Sequence, residues 1–437
     1  MIGPAALLAL AAVIIALALQ ISSGQYDPRA VALVTLATVA AAIGAAWRKR
    51  AVPERGAVLP QAMLGFGCAA GLACHLFTNP TLYADPRAFQ GGFRWLALAA
   101  LVALSAYLWT HPLLIRARFP LLLACFALMG FLVIRASPKP WIDVWVFQQG
   151  AADALLHGAN PYSVSYRDIY GPTALAWYAP ELRQAGRVMA FPYPPLTFLA
   201  EAPAFAAFGD VRYALLASMI GAAWLIARAA PGKLGELAAA LVLFQPRTLL
   251  VVEQAWTEPL VLFCFALSVY AIVRGAHWAL SGAALGLLAA SKQYAVLFVV
   301  PLALSMPRRR GLWVAAAVLI AVLAPFAIGD PAGFWRSVVR FQLVQPFRFD
   351  SLSLAPFAAR LIGPAVQPFA LAGLALGAAV LAFCLRRYPD VPLACASAAA
   401  AWAAVLIWNK QSFCNYWWLC SSLLAAASAA PAARETG

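Results

Sequence analysis

Long apolar runs separated by short polar turns dominate the chain. They fall at about residues 3–21, 30–47, 58–77, 93–110 and 119–136, and again at about 194–208, 211–229, 236–250, 257–274, 277–304, 311–329, 365–385, 391–408 and 413–430. The runs are rich in Ala and Leu and lack period-2 alternation. The pattern predicts an all-α polytopic membrane protein of about 12–14 spans rather than a barrel. The run 277–304 is too long for one ordinary span and is interrupted by Ser291-Lys292-Gln293. It reads either as one tilted helix or as two short ones meeting at Lys292, and the choice flips the parity of everything between residues 193 and 276.

Two polar stretches break the rhythm. Residues 137–192 carry four acids (Asp143, Asp153, Asp168, Glu181), four bases (Lys139, Arg167, Arg183, Arg187) and His157. Within them Val144, Phe147, Ala151 and Leu155 recur at helical spacing, which predicts a helix lying on the membrane surface. Residues 330–352 mix Trp335, Arg336, Arg340, Phe341, Arg348 and Phe349, a composition suited to a second interfacial helix. Loops this long in a compact membrane protein tend to carry function.

Composition agrees with the pattern: 64% of the 437 residues are hydrophobic and 11% charged, against about 25% charged in soluble domains. One soluble core could not hide that much apolar surface, because cores stop growing near about 250–300 residues. The net charge of +15 does not indicate a nucleic-acid partner. The bases cluster between apolar runs: Arg48, Lys49, Arg50 and Arg55; Arg116 and Arg118; Arg308, Arg309 and Arg310; Arg386 and Arg387. Placing these inside puts the N-terminus inside and residues 137–192 outside. The eight cysteines are scattered without a CxxC pair and read as small core residues. The first run lacks a basic leader and reads as an uncleaved span rather than a signal peptide.

Ionisable residues at membrane depth are costly, so they mark candidate chemistry. Asp143, Glu253, Glu258 and Lys292 stand out. Asp143 opens the surface helix, where it either caps the first turn or takes a proton from an acceptor hydroxyl at the water–lipid boundary. Glu253-Gln254-Ala255-Trp256-Thr257-Glu258-Pro259 puts two carboxylates and an amide into an apolar stretch, as a solvated turn or as a site. Lys292 needs an anionic partner or a phosphate; the structural alternative pairs it with a carboxylate such as Glu253. Asn409-Lys410-Gln411-Ser412-Phe413-Cys414-Asn415-Tyr416-Trp417-Trp418 joins two late spans, as an aromatic belt with a snorkelling lysine or as part of a site. There is no Walker A, no GxGxxG after a strand and no HExxH.

The order of these segments resembles a known pattern. A carboxylate opens the first long external loop; Gly158-Ala159-Asn160-Pro161-Tyr162 follows, then Tyr193-Pro194-Pro195, the Glu253-Gln254 turn, Lys292 between apolar runs, and Asn415-Tyr416 near the end. Over about residues 120–430 the chain resembles membrane glycosyltransferases of the GT-C type, most of all family 87, whose members use polyprenol-phosphate-mannose. The resemblance implies an inner-membrane enzyme of two parts: N-terminal helices over residues 1–115, and a catalytic region over 116–437 facing the extracytoplasmic side. The donor would be a sugar on a polyprenyl phosphate and the acceptor a glycan or glycolipid, with inversion at the anomeric carbon.

Asp143 alone matches the family's catalytic carboxylate and would be the base. Lys292, Arg348 and Lys410 would face the phosphate. Glu253, Gln254, Glu258, Asn160, Tyr162, Tyr193, Asn415 and Tyr416 would contact sugar or acceptor. No cofactor or metal is called for. Two departures stand: about four spans precede the matching region, and the polar turn, more often Gly-Gln, here reads Glu253-Gln254. The alternatives are a secondary transporter or flippase for an envelope lipid or small solute, and a non-catalytic membrane scaffold.

Overall fold

The computed structural model describes residues 2–47, 57–171, 177–386 and 389–431. Of the basic clusters, Arg48, Lys49, Arg50, Arg55 and Arg387 lie outside the described residues. The described chain forms helices, with one small sheet in the first long loop, and it is an all-α multi-pass membrane protein.

Five helices come first: α1 (Pro4–Ser22), α2 (Pro28–Trp47), α3 (Val58–Phe77), α4 (Gly92–Ser105) and α5 (Pro112–Ala136). The loop after α5 holds α6 (Asp143–Leu156) and strands β1 (Tyr166–Arg167), β2 (Arg183–Gln184) and β3 (Arg187–Val188), antiparallel in the order β1-β3-β2. Val144, Phe147 and Ala151 of α6 are buried, as their spacing predicts. They do not merely lie on lipid. Phe147 joins Tyr162, Tyr166, Tyr178, Phe191 and Phe198 in an aromatic core of the loop's own.

The chain continues through α7 (Leu196–Phe208), α8 (Arg212–Ala229), α9 (Lys233–Phe244), α10 (Thr248–Glu253), α11 (Glu258–Val273), α12 (Trp278–Ser291) and α13 (Val296–Leu304). Next come α14 (Gly311–Gly329), α15 (Pro331–Phe334), a π-helical stretch over Trp335–Arg340, and α16 (Phe341–Val344). The chain closes with α17 (Leu354–Ile362), α18 (Ala372–Cys384), α19 (Val391–Ile407) and α20 (Cys414–Ala429).

Seven described helices are long and apolar enough to cross a membrane unaided, or eight if α7 and α8 count as one span bent by 118°. The apolar runs suggested more, because they include helices of 10–17 residues such as α11, α12 and α19, shorter than the about 20 residues a lone span needs. The run 194–208 is not an independent crossing: α7 packs on α6 and turns sharply into α8. The run 236–250 is broken between α9 and α10 at Gln245-Pro246-Arg247, since Pro246 supplies no amide hydrogen. The run 277–304 is two helices. It parts at Lys292, whose backbone is extended (φ −161°, ψ 152°).

Hydrogen bonds show which helix ends share a face. Arg212, at the start of α8, reaches the Ile134 carbonyl and Ser137 at the end of α5 and the Glu253 carbonyl closing α10. Arg247 donates to the Asn79 carbonyl beyond α3 at 3.1 Å. These ends, with the long loop over them, form one polar face of the bundle. The first four helices are part of the same body: α1 packs on α3 and α20, α2 on α19, and α3 on α9.

Close helix approach depends on small residues. A Cβ added at Gly71 of α3 would overlap the Phe244 carbonyl of α9, whereas one at Gly65 meets nothing within 4 Å. Gly71→Ala is therefore expected to destabilise the protein by about 1–3 kcal/mol through overpacking. Gly65→Ala should be neutral or stabilising by up to about 1 kcal/mol. Melting temperatures in one detergent compare the two; equal effects would mean that α3 and α9 are not held at this distance.

Candidate functional site

Asp143 is the first residue of α6, directly after the extended Ile142. It is half-buried. The Tyr178 hydroxyl donates to its Oδ2, the Tyr170 hydroxyl to Oδ1 at 3.3 Å, and the Val144 amide to Oδ1 at 2.8 Å. The side chain does not cap the turn in the ordinary way; its one backbone donor is its immediate neighbour. Burial pushes its carboxyl above the ordinary value of 3.8, outweighing the hydroxyls, the amide and the nearby Arg348, which all pull downward. Around it Tyr170 stacks on Trp177 at 5.0 Å and meets Trp141 edge-on at 5.4 Å.

Arg348 closes this side. Its guanidinium lies 3.7 Å from the Trp177 ring centre and pairs with Asp350 at 2.6 Å. The segment carrying it is tied to the turn before α20: Leu352 N–H donates to the Ser412 carbonyl at 2.8 Å, and Ser353 Oγ to the Asn409 carbonyl at 2.8 Å. Lys410 donates to the carbonyls of Gln345 at 2.7 Å and Leu343 at 3.1 Å, and burial lowers its pKa. Lys410 thus ties two segments together.

A second polar centre lies inside the bundle. Lys292 Nζ is 3.0 Å from Glu258 Oε1 and also donates to Thr257 Oγ1, while the Tyr294 hydroxyl donates to Glu258 at 2.9 Å. The Lys292 partner is Glu258, not Glu253 as the structural alternative had it. Lys292 also lies 4.5 Å from the Tyr193 ring centre. Tyr294 stacks on Trp402 at 4.2 Å and meets Tyr416 edge-on at 6.0 Å. Asn415 is buried in the first turn of α20, next to Tyr416. Tyr193 and Tyr416 each feel the charges of both Asp143 and Glu258, so the two centres adjoin.

Glu253 is placed differently. Fully buried, it accepts the backbone amides of Leu82 (2.7 Å), Tyr83 (3.0 Å) and Ala84 (2.8 Å), and Gln254 Nε2 at 3.2 Å. Its carboxylate anchors the loop between α3 and α4, and Tyr83 of that loop feels Asp143. Ala255 follows with φ 55°, a left-handed conformation an alanine seldom holds, and its carbonyl accepts Gln148 of α6 at 2.5 Å. Asn160 and Tyr162 are also anchors. Asn160 Nδ2 donates to the Phe326 carbonyl at 3.1 Å, and the buried Tyr162 donates to the Tyr193 carbonyl at 2.7 Å.

Asp143, Tyr193, Glu258, Lys292, Tyr416 and Arg348 thus come together, whereas Glu253, Gln254, Asn160, Tyr162 and Lys410 brace the surroundings. Four residues escaped the sequence reading. Tyr170 and Tyr178 carry no local signal that distinguishes them from loop aromatics. Gln148 lies within α6. Glu201 had a signal, an acid inside an apolar run, and its neighbours masked it. Glu201 is fully buried with neither carboxyl oxygen bonded among the described residues, and it feels Lys292. Glu258 Oε2 and Gln148 Oε1 are likewise buried without a partner. Orphaned polar atoms gathered in one interior suit a polar ligand. Among the described residues no group of three His, Cys, Asp or Glu side chains is placed to hold a metal ion.

No family model matches the chain, and neither a curated protein nor a solved structure is detectably similar to it.

Proposed function

We propose that the protein is a membrane glycosyltransferase of the GT-C type, closest in its motif order to family 87. It moves a sugar from a polyprenyl-phosphate donor to a glycan or lipid acceptor on the extracytoplasmic side of the inner membrane. The observation that carries this reading is Asp143: a carboxylate opening the surface helix, held by two tyrosine hydroxyls, raised in pKa by burial, and beside an arginine. A base of raised pKa suits proton abstraction near neutral pH.

In the proposed step Asp143 takes the acceptor hydroxyl proton as that oxygen bonds to the anomeric carbon. The bond from that carbon to the phosphate oxygen breaks, and its electron pair leaves on the phosphate. Attack opposite the leaving group inverts the centre. The departing phosphate needs a cation. Arg348 supports that role by lying within electrostatic reach of Asp143. Lys292, its charge already matched by Glu258 at 3.0 Å, supports a scaffold role instead.

Turnover of a polyprenyl-phosphate sugar by the purified protein tests the reading, and its pH profile tests the base. Protonating Asp143 removes the base, so the acid limb of kcat/KM is expected above 3.8. Tyr178→Phe deletes a donor to the ionised form and should move that limb further up. A limb that ignores Tyr178 would place the titrating group elsewhere. One observation favours a second reading: the break at Lys292 and the bent α7–α8 pair resemble the discontinuous helices that carriers place at binding sites. Lipid-linked sugar crossing a vesicle membrane with its phosphate–sugar bond intact would select a flippase.

A further inference from the structure

A cavity of about 710 Å³ lies far from Asp143. Helix ends opposite to those of the polar face converge on it: the start of α5, the end of α8, the start of α9 and the end of α11. Twenty residues of α5 separate Arg116 from Ala136, which spans about 30 Å and matches the hydrocarbon thickness of a bilayer. The cavity therefore lies at the other membrane–water boundary.

Its lining is two-sided in chemistry. Arg116, Arg228 and Arg274 contribute three exposed guanidiniums, and none of them has an ion pair among the described residues. The one acid present, Glu236, is already matched by Arg118 at 2.8 Å, and Arg118 also lies over Tyr107 at 4.0 Å. Three positive charges are left without a counterion among the described residues. Apolar surface adjoins them: Ile115 is 42% exposed and Trp224 41%, with Leu123 one turn beyond Pro120. Pro120 removes the helical amide that would bond the Arg116 carbonyl, which loosens α5 at this point. Arginines above, aromatic rings at the boundary and an apolar wall below fit an amphiphile with an anionic head.

We propose that this cavity binds the phosphate headgroup of an anionic glycerophospholipid, one per chain, with its acyl chains running along α5 and α8. Arg116, Arg228 and Arg274 grip the phosphate. The site is independent of the chemistry at Asp143.

The test uses full-length protein stripped of lipid in a neutral detergent and titrated with phosphatidylglycerol or phosphatidylcholine. Bound lipid is counted by native mass spectrometry and stability followed by melting temperature. Phosphatidylglycerol is expected to bind saturably at one copy and raise the melting temperature, while phosphatidylcholine does neither. Arg116→Gln with Arg228→Gln and Arg274→Gln should weaken binding at least tenfold. Lys at the same three positions should restore part of it. Removing the same number of charges at Arg308, Arg309 and Arg310 should leave it intact. Equal binding of the two lipids, or equal loss in the Arg308–Arg310 variant, would reduce the effect to general surface attraction and overturn the site. Inorganic pyrophosphate that binds alone and displaces the lipid would assign the cavity to a soluble phosphate compound and overturn the lipid.

Discussion

Asp143→Asn is expected to lower sugar transfer by about 10²–10⁴-fold, the range of a lost general base, while the melting temperature stays level or rises slightly. Both halves come from the same surroundings. Asn keeps the size of the side chain and can still meet the Tyr178 and Tyr170 hydroxyls, but it cannot take the acceptor's proton. The stability half follows from linkage. Folding raises the Asp143 pKa above 3.8, so the folded chain holds that proton more tightly than the unfolded one. The resulting stability is present at low pH and lost as pH rises through the raised value. At neutral pH the ionised carboxylate works against folding, and a neutral amide relieves it. Initial rates with a lipid-linked donor and melting curves on the same preparations give both numbers. Near-wild-type turnover would remove Asp143 as the base and shift attention to Glu201 and Glu258.

The second large effect is expected at the buried pair. Lys292→Met leaves Glu258 fully buried without its cation, and breaking one side of such a pair costs about 3–5 kcal/mol. Glu258→Gln should do similar damage from the other side. Lys292→Met with Glu258→Gln removes both charges and should recover most of the stability. Lys292→Met with Glu253→Gln should not, because Glu253 accepts the amides of Leu82, Tyr83 and Ala84 instead. If both doubles recover, the pairing is wrong. Single-turnover rates add the functional half: a Lys292→Met, Glu258→Gln protein that is stable and active assigns Lys292 to the scaffold. One that is stable and inactive returns it to the leaving phosphate.

What the sequence revealed was local. The apolar period of Val144, Phe147, Ala151 and Leu155 located α6 because a helix shows its face within a few turns. Ser291-Lys292-Gln293 marked the run 277–304 as interrupted, because three polar residues in an apolar run have few other uses, but left one tilted helix and two short ones equally open. Partners across the fold had no such sign. Glu253 lies 171 residues from Leu82 in the chain, and no spacing rule connects them. Glu258 was preferred to Glu253 as the Lys292 partner by packing alone. The number of spans was less legible for a related reason: a run such as 194–208 is apolar enough for lipid, yet α7 also packs one face, with Phe198 and Ala202, against protein.

The packing of α1 against α20 bears on how the protein is made. Ser421 Oγ donates to the Ala12 carbonyl across 409 positions of chain, and the buried face of α1 includes Leu8, Ala12, Ile15 and Leu19. During synthesis α1 enters the membrane about 400 residues ahead of this partner. Until α20 is made, the part of that face it will cover must stay in lipid or against an insertion chaperone, with α2 and α3 already beside α1. Contacts so distant form late, and a ribosome that stalls before residue 414 releases a chain whose α1 lacks its α20 neighbour. Quality-control proteases that sense unpacked membrane helices would therefore read the arrival of α20 on the exposed face of α1.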